Sequence, residues 1–445
     1  MALSLGQKAG WGLADMGIVV FVIVKQLLIL TFLTAFLGVP VGIAGFVTTA
    51  VLVFDMVTDP LVGYLSDRTE SRWGRRAPWM FWGALVMAAG TVGMFAVPSG
   101  FSSTGNLLWV IAFFLVATVG FTMVAIPYSA QAGEITDDPK ERSSMTGFRM
   151  AFASVGILIG GALIPGLAGS FGYAMATLMV TPLMVGAIWI SIFATRNAPR
   201  GEAPEEVSLG KAFGLVASNK PFMVLVVLYG VMTLAVALIT AGLPFGAIYL
   251  ILDNGETALS GAAQALSVLS LMFAAFVVGA ILSQAVWVLL SHRIGKVGAL
   301  SIGLALYMVL LYVLNMALPS VNVTAIAGLF VIAGFTNGAY QQIPWAIFPD
   351  LMDITRKESG IALEGAFSAI WLFGQKLANA LAPAVLGLIL ASAGWQETTE
   401  GAVDQSVEAL ATLQDSITLI PASILGVALL ALIFIYLPMQ RRALG

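Results

Sequence analysis

The segment "VGIAGFVTTAVLVFDMVTDPLVGYLSDRTESRWGRR", residues 41–76, sets two carboxylates inside an apolar run and closes that run with a basic cluster. Asp55 and Asp59 are four residues apart, so on a helix they share one face, about 6 Å or one turn apart. The run 41–66 exceeds the roughly 20 residues that carry a helix across a bilayer. Burying one carboxylate at the bilayer centre costs roughly 2.5–3.5 kcal/mol on insertion scales. Acids placed there point to a task.

The rest of the chain repeats the apolar pattern. Of 445 residues, 59% are hydrophobic and only 10% charged, with a mean hydropathy of +0.98; soluble domains carry about 25% charged residues. The first run is too long, and lacks a small-residue cleavage site, for a secretory signal. Polar or Pro/Gly breaks divide the chain into twelve spans near 11–36, 41–66, 78–98, 106–133, 144–169, 173–194, 220–250, 260–291, 297–318, 322–348, 360–392 and 414–438. The fold class expected is an all-α polytopic membrane protein.

Charge placement gives an independent test, because basic residues collect in cytoplasmic loops. With the N-terminus inside, seventeen of the twenty Lys and Arg fall in cytoplasmic segments: Lys8; Arg68, Arg72, Arg75, Arg76; Lys140, Arg142; Arg196, Arg200, Lys211, Lys220; Arg293, Lys296; Arg356, Lys357; Arg441 and Arg442. The outside loops near Asp253–Glu256 and Glu397–Glu408 are purely acidic. An odd number of spans breaks this alternation, so both termini are expected in the cytoplasm. Lys25, Arg149 and Lys376 fall within spans.

The longest polar connection, "TRNAPRGEAPEEVSLGKAFGLVASNK" (195–220), divides the spans 6+6. The expected domains are a bundle over 1–194, a cytoplasmic linker over 195–219 and a second bundle over 220–445. "IPYSAQAGEITDDPKERSSM" (126–145) is echoed by "IPWAIFPDLMDITRKESG" (343–360), and "RWGRRAPW" more faintly by "HRIGKVGA". Parallel repeats of this kind mark transporters with a mid-membrane site between two halves.

Two carboxylates a turn apart resist joint ionisation unless a cation or proton sits with them. Thr58 adds a neutral oxygen, and Pro60, lacking an N–H, releases the carbonyl of Met56. These hard oxygens suit Na⁺ as a metal held by Asp55 and Asp59, and the same pair suits H⁺. An inter-helix ion pair with Lys376 or Arg149 is the competing reading. Lys376 can compete with the cation or stay permanently paired. Arg149 can hold a solute oxygen, act as an inner gate, or snorkel to the interface.

Lys25, beside Gln26, either faces the cavity or neutralises Asp55. Lys25 and Arg149 together suit an anionic solute. Gln341, Gln342, Asn337, Trp345 and Trp371 are further solute-facing candidates. Asp67, Arg68, Arg75, Arg76, Glu134, Asp138, Arg142, Asp350 and Asp353 read either as a gating network or as a solvated face that sets topology.

With these residues in view, "SDRTESRWGRR" resembles the loop-2/3 signature of the major facilitator superfamily. "DMVTDPLVGYLSDRTESRWGRRAPW", "IPYSAQAGEITDDPKERSSMTGFR" and "PDLMDITRKESGIALEGAFSAIWLFGQKLANAL" together resemble the glycoside–pentoside–hexuronide:cation symporters, the melibiose permease-like family. The resemblance runs from about residue 10 to 392. It implies two six-helix bundles, alternating access, and symport of a sugar-like solute with Na⁺ or H⁺ in a bacterial inner membrane. Asp55 and Asp59 match the family's cation-ligating acids, Thr58 its intervening polar residue, and Thr122, Arg149 and Lys376 its helix-four, helix-five and helix-eleven positions. Asp15 matches an acid of some members. Val19, Ala125 and Ser129 stand where the best-known member holds its sugar, so that sugar site is not expected here.

No cofactor is expected beyond the coupling ion. The expected partners are a small solute, the coupling cation and the lipid bilayer, with no nucleic acid and a monomeric chain. A carrier of a lipid-like or amphiphilic solute is the alternative on the same scaffold. An enzyme is not expected: no HExxH, GxSxG or Walker motif is present, and His292 is the only histidine. Without cysteine, disulfides and thiolate metal sites are excluded.

Overall fold

The computed structural model describes residues 3–136, 139–197, 209–359 and 364–444, excepting the side chains at 67, 132–134, 139–140, 142–143, 209–213, 353–354, 356–359, 364–365 and 443–444. Among them are twelve helices long and apolar enough to span a membrane. They are α1 (Leu5–Leu27), α2 (Val41–Ser66), α3 (Ala77–Phe95), α4 (Ser103–Gln131), α5 (Ser144–Phe171) and α6 (Tyr173–Thr195). The second half holds α7 (Lys220–Tyr249), α8 (Val268–Ile294), α9 (Lys296–Ala317), α10 (Val323–Met352), α11 (Ala366–Ser392) and α12 (Val407–Arg442). In lipid every backbone polar group must bond internally, which is why such a chain solves its crossings with helices. The extended pairing among the described residues is one isolated bridge, Ile251 to Ser320.

Helix ends differ from the hydropathy breaks where a capping residue decides them. α1 starts at Leu5, not near 11, because Ser4 and Gln7 form a reciprocal capping box. α12 starts at Val407, not near 414, with the Ser406 hydroxyl accepting from the Ala409 N–H. At the front of α8, Ser267 at φ 81° separates a short helix, Ser260–Leu266, from the span. The tenth helix continues to Ser359 past Pro344 and Pro349, ten residues and more beyond its expected end.

Contacts divide the chain into two compact units. The first comprises Met1–Pro204, Gln264–Ser270 and Glu397–Val403; the second comprises Glu205–Ala263, Leu271–Gln396 and Asp404–Gly445. Within the first, α1 lies against α5 at backbone distance. A Cβ added to Gly12 would stand 2.8 Å from the Arg149 nitrogen, and one added to Gly156 would stand 2.6 Å from the Met16 carbonyl oxygen. Small residues permit this approach, and in lipid, van der Waals packing of this kind drives helix association. It sets the register that places Asp15 opposite Arg149. Further along, a π-helical turn at Ile159–Leu163 brings α5 against α1 at Val20 and Ile23 through Gly160.

Candidate functional site

The charged centre of the first unit is built by α1, α2 and α4. Asp55 is 2% exposed, Lys25 5% and Thr122 fully buried. Lys25 Nζ lies 3.2 Å from Asp55 Oδ2. The Thr122 hydroxyl stands 3.0 Å from Asp55 Oδ1, with the Thr118 carbonyl at 3.1 Å competing for its one proton. The ammonium also sits 4.3 Å from the Phe121 ring centroid and 5.2 Å from that of Phe21, within cation–π range. Each oxygen of Asp55 is thereby engaged. Of the two readings of Lys25, facing the cavity or neutralising Asp55, the structure shows the contact with the carboxylate of α2.

One turn on, Asp59 is half-buried. The Thr58 hydroxyl donates to its own helix, to the Asp55 carbonyl at 3.0 Å and the Phe54 carbonyl at 3.2 Å. Its oxygen lone pairs stay available to a cation, although its proton is spent on the backbone. Of the expected cation-site residues, Thr122 meets Asp55 directly, Lys25 takes the other Asp55 oxygen, and Thr58 bonds to its own helix. Among the described residues no three His, Cys, Asp or Glu side chains gather as a metal cluster. Lys376 lies half-buried on α11, in the other unit.

A second charged pair joins α1 to α5. Arg149 Nε lies 3.2 Å from Asp15 Oδ2. The guanidinium carbon is 5.4 Å from the Tyr128 ring centroid, and Tyr128 stacks on Trp11 at 4.8 Å. Four buried polar atoms here have no hydrogen-bond partner: Asp15 Oδ1, Tyr128 Oη, Trp11 Nε1 and Arg149 Nε, whose approach to Asp15 is an ion pair. Trp11 and Tyr128 carried no sequence signal beyond being aromatic in an apolar span.

In the second unit, Tyr229 of α7 is a hub. Its hydroxyl takes hydrogen bonds from Trp345 Nε1 at 3.1 Å and Gln375 Nε2 at 3.3 Å. Its ring stacks on Trp371 at 4.4 Å and on Tyr340 at 5.5 Å. Trp345 is 41% exposed and Gln341 is exposed, four residues apart on one face of α10. Gln342 donates to Gln284 of α8. Trp371, one of the candidates read as solute-facing or as plain helix packing, is 1% exposed and stacks with Tyr229 and Phe348. Asn337 is fully buried, with neither amide atom hydrogen-bonded.

Three of the charges read as a gate, Arg68, Arg76 and Asp350, have local partners. Arg76 donates to the Ser66 hydroxyl at 2.8 Å, and Arg68 lies over the Tyr64 ring at 4.0 Å. Asp350 of α10 binds Lys296 of α9 at 2.6 Å, and Lys296 also donates to the Ala346 carbonyl. Lys296 had counted only toward topology. Arg75 lies among the described residues, whereas Asp138 and the side chains of Asp67, Glu134, Arg142 and Asp353 lie outside them.

Twelve membrane helices in two units, with buried ion pairs inside the spans, define a polytopic transporter. The profile of the MFS/sugar transport protein family matches residues 10–439, and the chain belongs to that family. YagG of Escherichia coli (strain K12), a candidate glycoside/cation symporter, is 27% identical over 429 residues, covering 94% of this chain and 89% of that one. The isoprimeverose transporter of Lactiplantibacillus pentosus is 22% identical, covering 91% and 82%. The crystal structure of a bacterial homologue of the human lysosomal transporter Spinster shares the fold at a TM-score of 0.64 and 16% identity, over 97% of this chain and 95% of that one.

Proposed function

We propose that this chain is a secondary active symporter that accumulates a sugar-like solute with Na⁺ or H⁺ by alternating access. The observation that carries the reading is Asp55: a carboxylate buried in the fifteenth position of a membrane helix, bonded to Lys25 and Thr122. Ionisable groups inside spans are expensive and default to a role in transport. The coupling set is Asp55, Thr58, Asp59 and Thr122, with Lys376 retained on the family resemblance alone. The solute-facing set is Asp15, Arg149, Gln341, Gln342 and Trp345. Asp350 and the arginines at 68, 75 and 76 act at the cytoplasmic gate, with both termini on that side of a bacterial inner membrane. The working unit is one chain, with bundles over 1–194 and 220–445.

The two cations that favoured an anionic solute each face a buried carboxylate, Lys25 with Asp55 and Arg149 with Asp15. Their charge is met inside the protein, which favours a neutral glycoside. A lipid-like solute is the second reading. It draws on an apolar cavity in the second unit, lined by Thr240, Phe273, Phe276, Leu314, Phe330 and Thr418.

The test is a panel of glycosides and lysolipids offered to right-side-out vesicles, with Na⁺ and pH gradients imposed separately. Gradient-driven accumulation of a glycoside is expected. Uptake indifferent to both gradients sinks the symport reading, and competition by lysolipid alone moves the solute to the second class.

A further inference from the structure

We propose that Trp11 and Tyr128 are solute-binding residues: with the second oxygen of Asp15 they form a polar subsite for the hydroxyl edge of a neutral glycoside. The proposal deepens the symport reading and rests on it only for transport; binding is tested without it.

The four side chains make one contiguous cluster. Trp11 and Asp15 lie a turn apart on one face of α1. Tyr128 of α4 stacks on Trp11 at 4.8 Å, and the Arg149 guanidinium of α5 lies 5.4 Å from the Tyr128 ring centroid and 3.2 Å from Asp15 Oδ2. Their backbones are fixed. The Ser191 hydroxyl donates to the Trp11 carbonyl at 3.1 Å, and Gly12 brings α1 to backbone distance of Arg149.

Within this fixed frame, Trp11 is 2% exposed, Asp15 4% and Tyr128 0%, yet Trp11 Nε1, Asp15 Oδ1 and Tyr128 Oη have no hydrogen-bond partner among the described residues. Burying such groups unpaired is costly, and native interiors pair nearly all of them. Phenylalanine at both aromatic positions would stack as well without that cost, so packing does not account for the indole nitrogen and the phenol oxygen. A partner that arrives with the solute does.

The three atoms define what that partner carries. The indole nitrogen only donates, the carboxylate oxygen only accepts, and the phenol does either. Adjacent hydroxyls, each a donor and an acceptor, satisfy all three. A carboxylate solute lacks the proton that Asp15 accepts, and an ammonium lacks the lone pair that Trp11 needs. The Asp15 charge is already met by Arg149, so the subsite favours a neutral solute. The Arg149 side chain, 33% exposed, is the part of the cluster that reaches open space.

The experiment measures equilibrium binding and thermal unfolding of the purified full-length chain. The probes are methyl glucosides, galactosides and xylosides with their monodeoxy analogues, offered with Na⁺ at acid and at neutral pH so that either coupling ion is supplied. Wild type is expected to bind at least one parent glycoside and to bind one of its deoxy analogues about tenfold more weakly, one decade in Kd. Tyr128→Phe is expected to lose about tenfold for the parent and to stop distinguishing it from that analogue. Its unfolding temperature without probe should equal or exceed that of wild type, because an unpaired buried hydroxyl is gone. Trp11→Phe repeats the cycle for the indole nitrogen. A folded Tyr128→Phe chain that binds and discriminates as wild type does overturns the proposal, and an ordered water is then the partner of the phenol. Failure of wild type to bind any probe overturns it too, as does failure of both variants to fold, which makes the polar atoms structural. The expected binding results with uptake indifferent to Na⁺ and pH gradients refute symport and leave the subsite standing.

Discussion

Arg149 Nε stands 3.2 Å from Asp15 Oδ2, yet the partners are unequally sheltered: the Asp15 side chain is 5% exposed and that of Arg149 33%. Breaking the pair from either side should therefore differ. Arg149→Ala leaves an uncompensated buried carboxylate, a defect worth about 3–5 kcal/mol. Asp15→Asn leaves a guanidinium that water already reaches, so its cost is on the order of 1 kcal/mol. Thermal unfolding of the two variants in detergent checks the order; equal losses contradict the asymmetry.

Thr122 holds the second oxygen of Asp55 at 3.0 Å. Thr122→Val keeps the shape and removes the hydroxyl, which forfeits a hydrogen bond to a charged group of about 1.5–3 kcal/mol. Thr122→Ser is expected to retain most of it. Stability and the dependence of uptake on the driving gradient should shift together in the valine variant and stay near wild type in the serine variant. A valine variant that matches wild type in both measurements removes Thr122 from the coupling set.

Asp59 is the half-buried acid of the pair, more open than Asp55. Asp59→Cys is expected to abolish accumulation against a gradient while solute exchange across the membrane persists, because alternation and coupling are separable steps. The check is counterflow against net uptake in the same vesicles. Full accumulation by the variant places coupling elsewhere.

The spans were legible because hydropathy and charge alternation report on the bilayer, which acts along the whole chain. Span ends were not, because they turn on single caps: the Ser4–Gln7 box adds a turn and a half to α1 that composition reads as polar loop. At the site, the spacing of Asp55 and Asp59 was enough to expose a charged helical face. The partner of Asp55 was open, since Lys25 is thirty residues away and its direction depends on how α1 rotates against α5. Trp371 and Trp345 were indistinguishable in sequence, both tryptophans near polar side chains. Packing separates them, one 1% exposed in a stack and the other 41% exposed and held by its nitrogen.

That separation gives opposite expectations for two substitutions around Tyr229. Tyr229→Phe keeps the stack with Trp371 at 4.4 Å and removes only the oxygen that holds Trp345 and Gln375. Its stability cost is on the order of 1 kcal/mol for each hydrogen bond lost, while the exposed indole of Trp345 loses its fixed orientation. The solute KM should rise several-fold with little change in folding. Trp371→Ala instead empties a packed position between Tyr229 and Phe348, and such truncations cost about 3–5 kcal/mol. Its expected signature is lower yield and a lower unfolding temperature, with KM near normal in the fraction that folds. Paired measurements of KM and unfolding temperature distinguish the two residues. A Tyr229→Phe chain with unaltered KM for every accumulated solute would take Trp345 out of the solute-facing set.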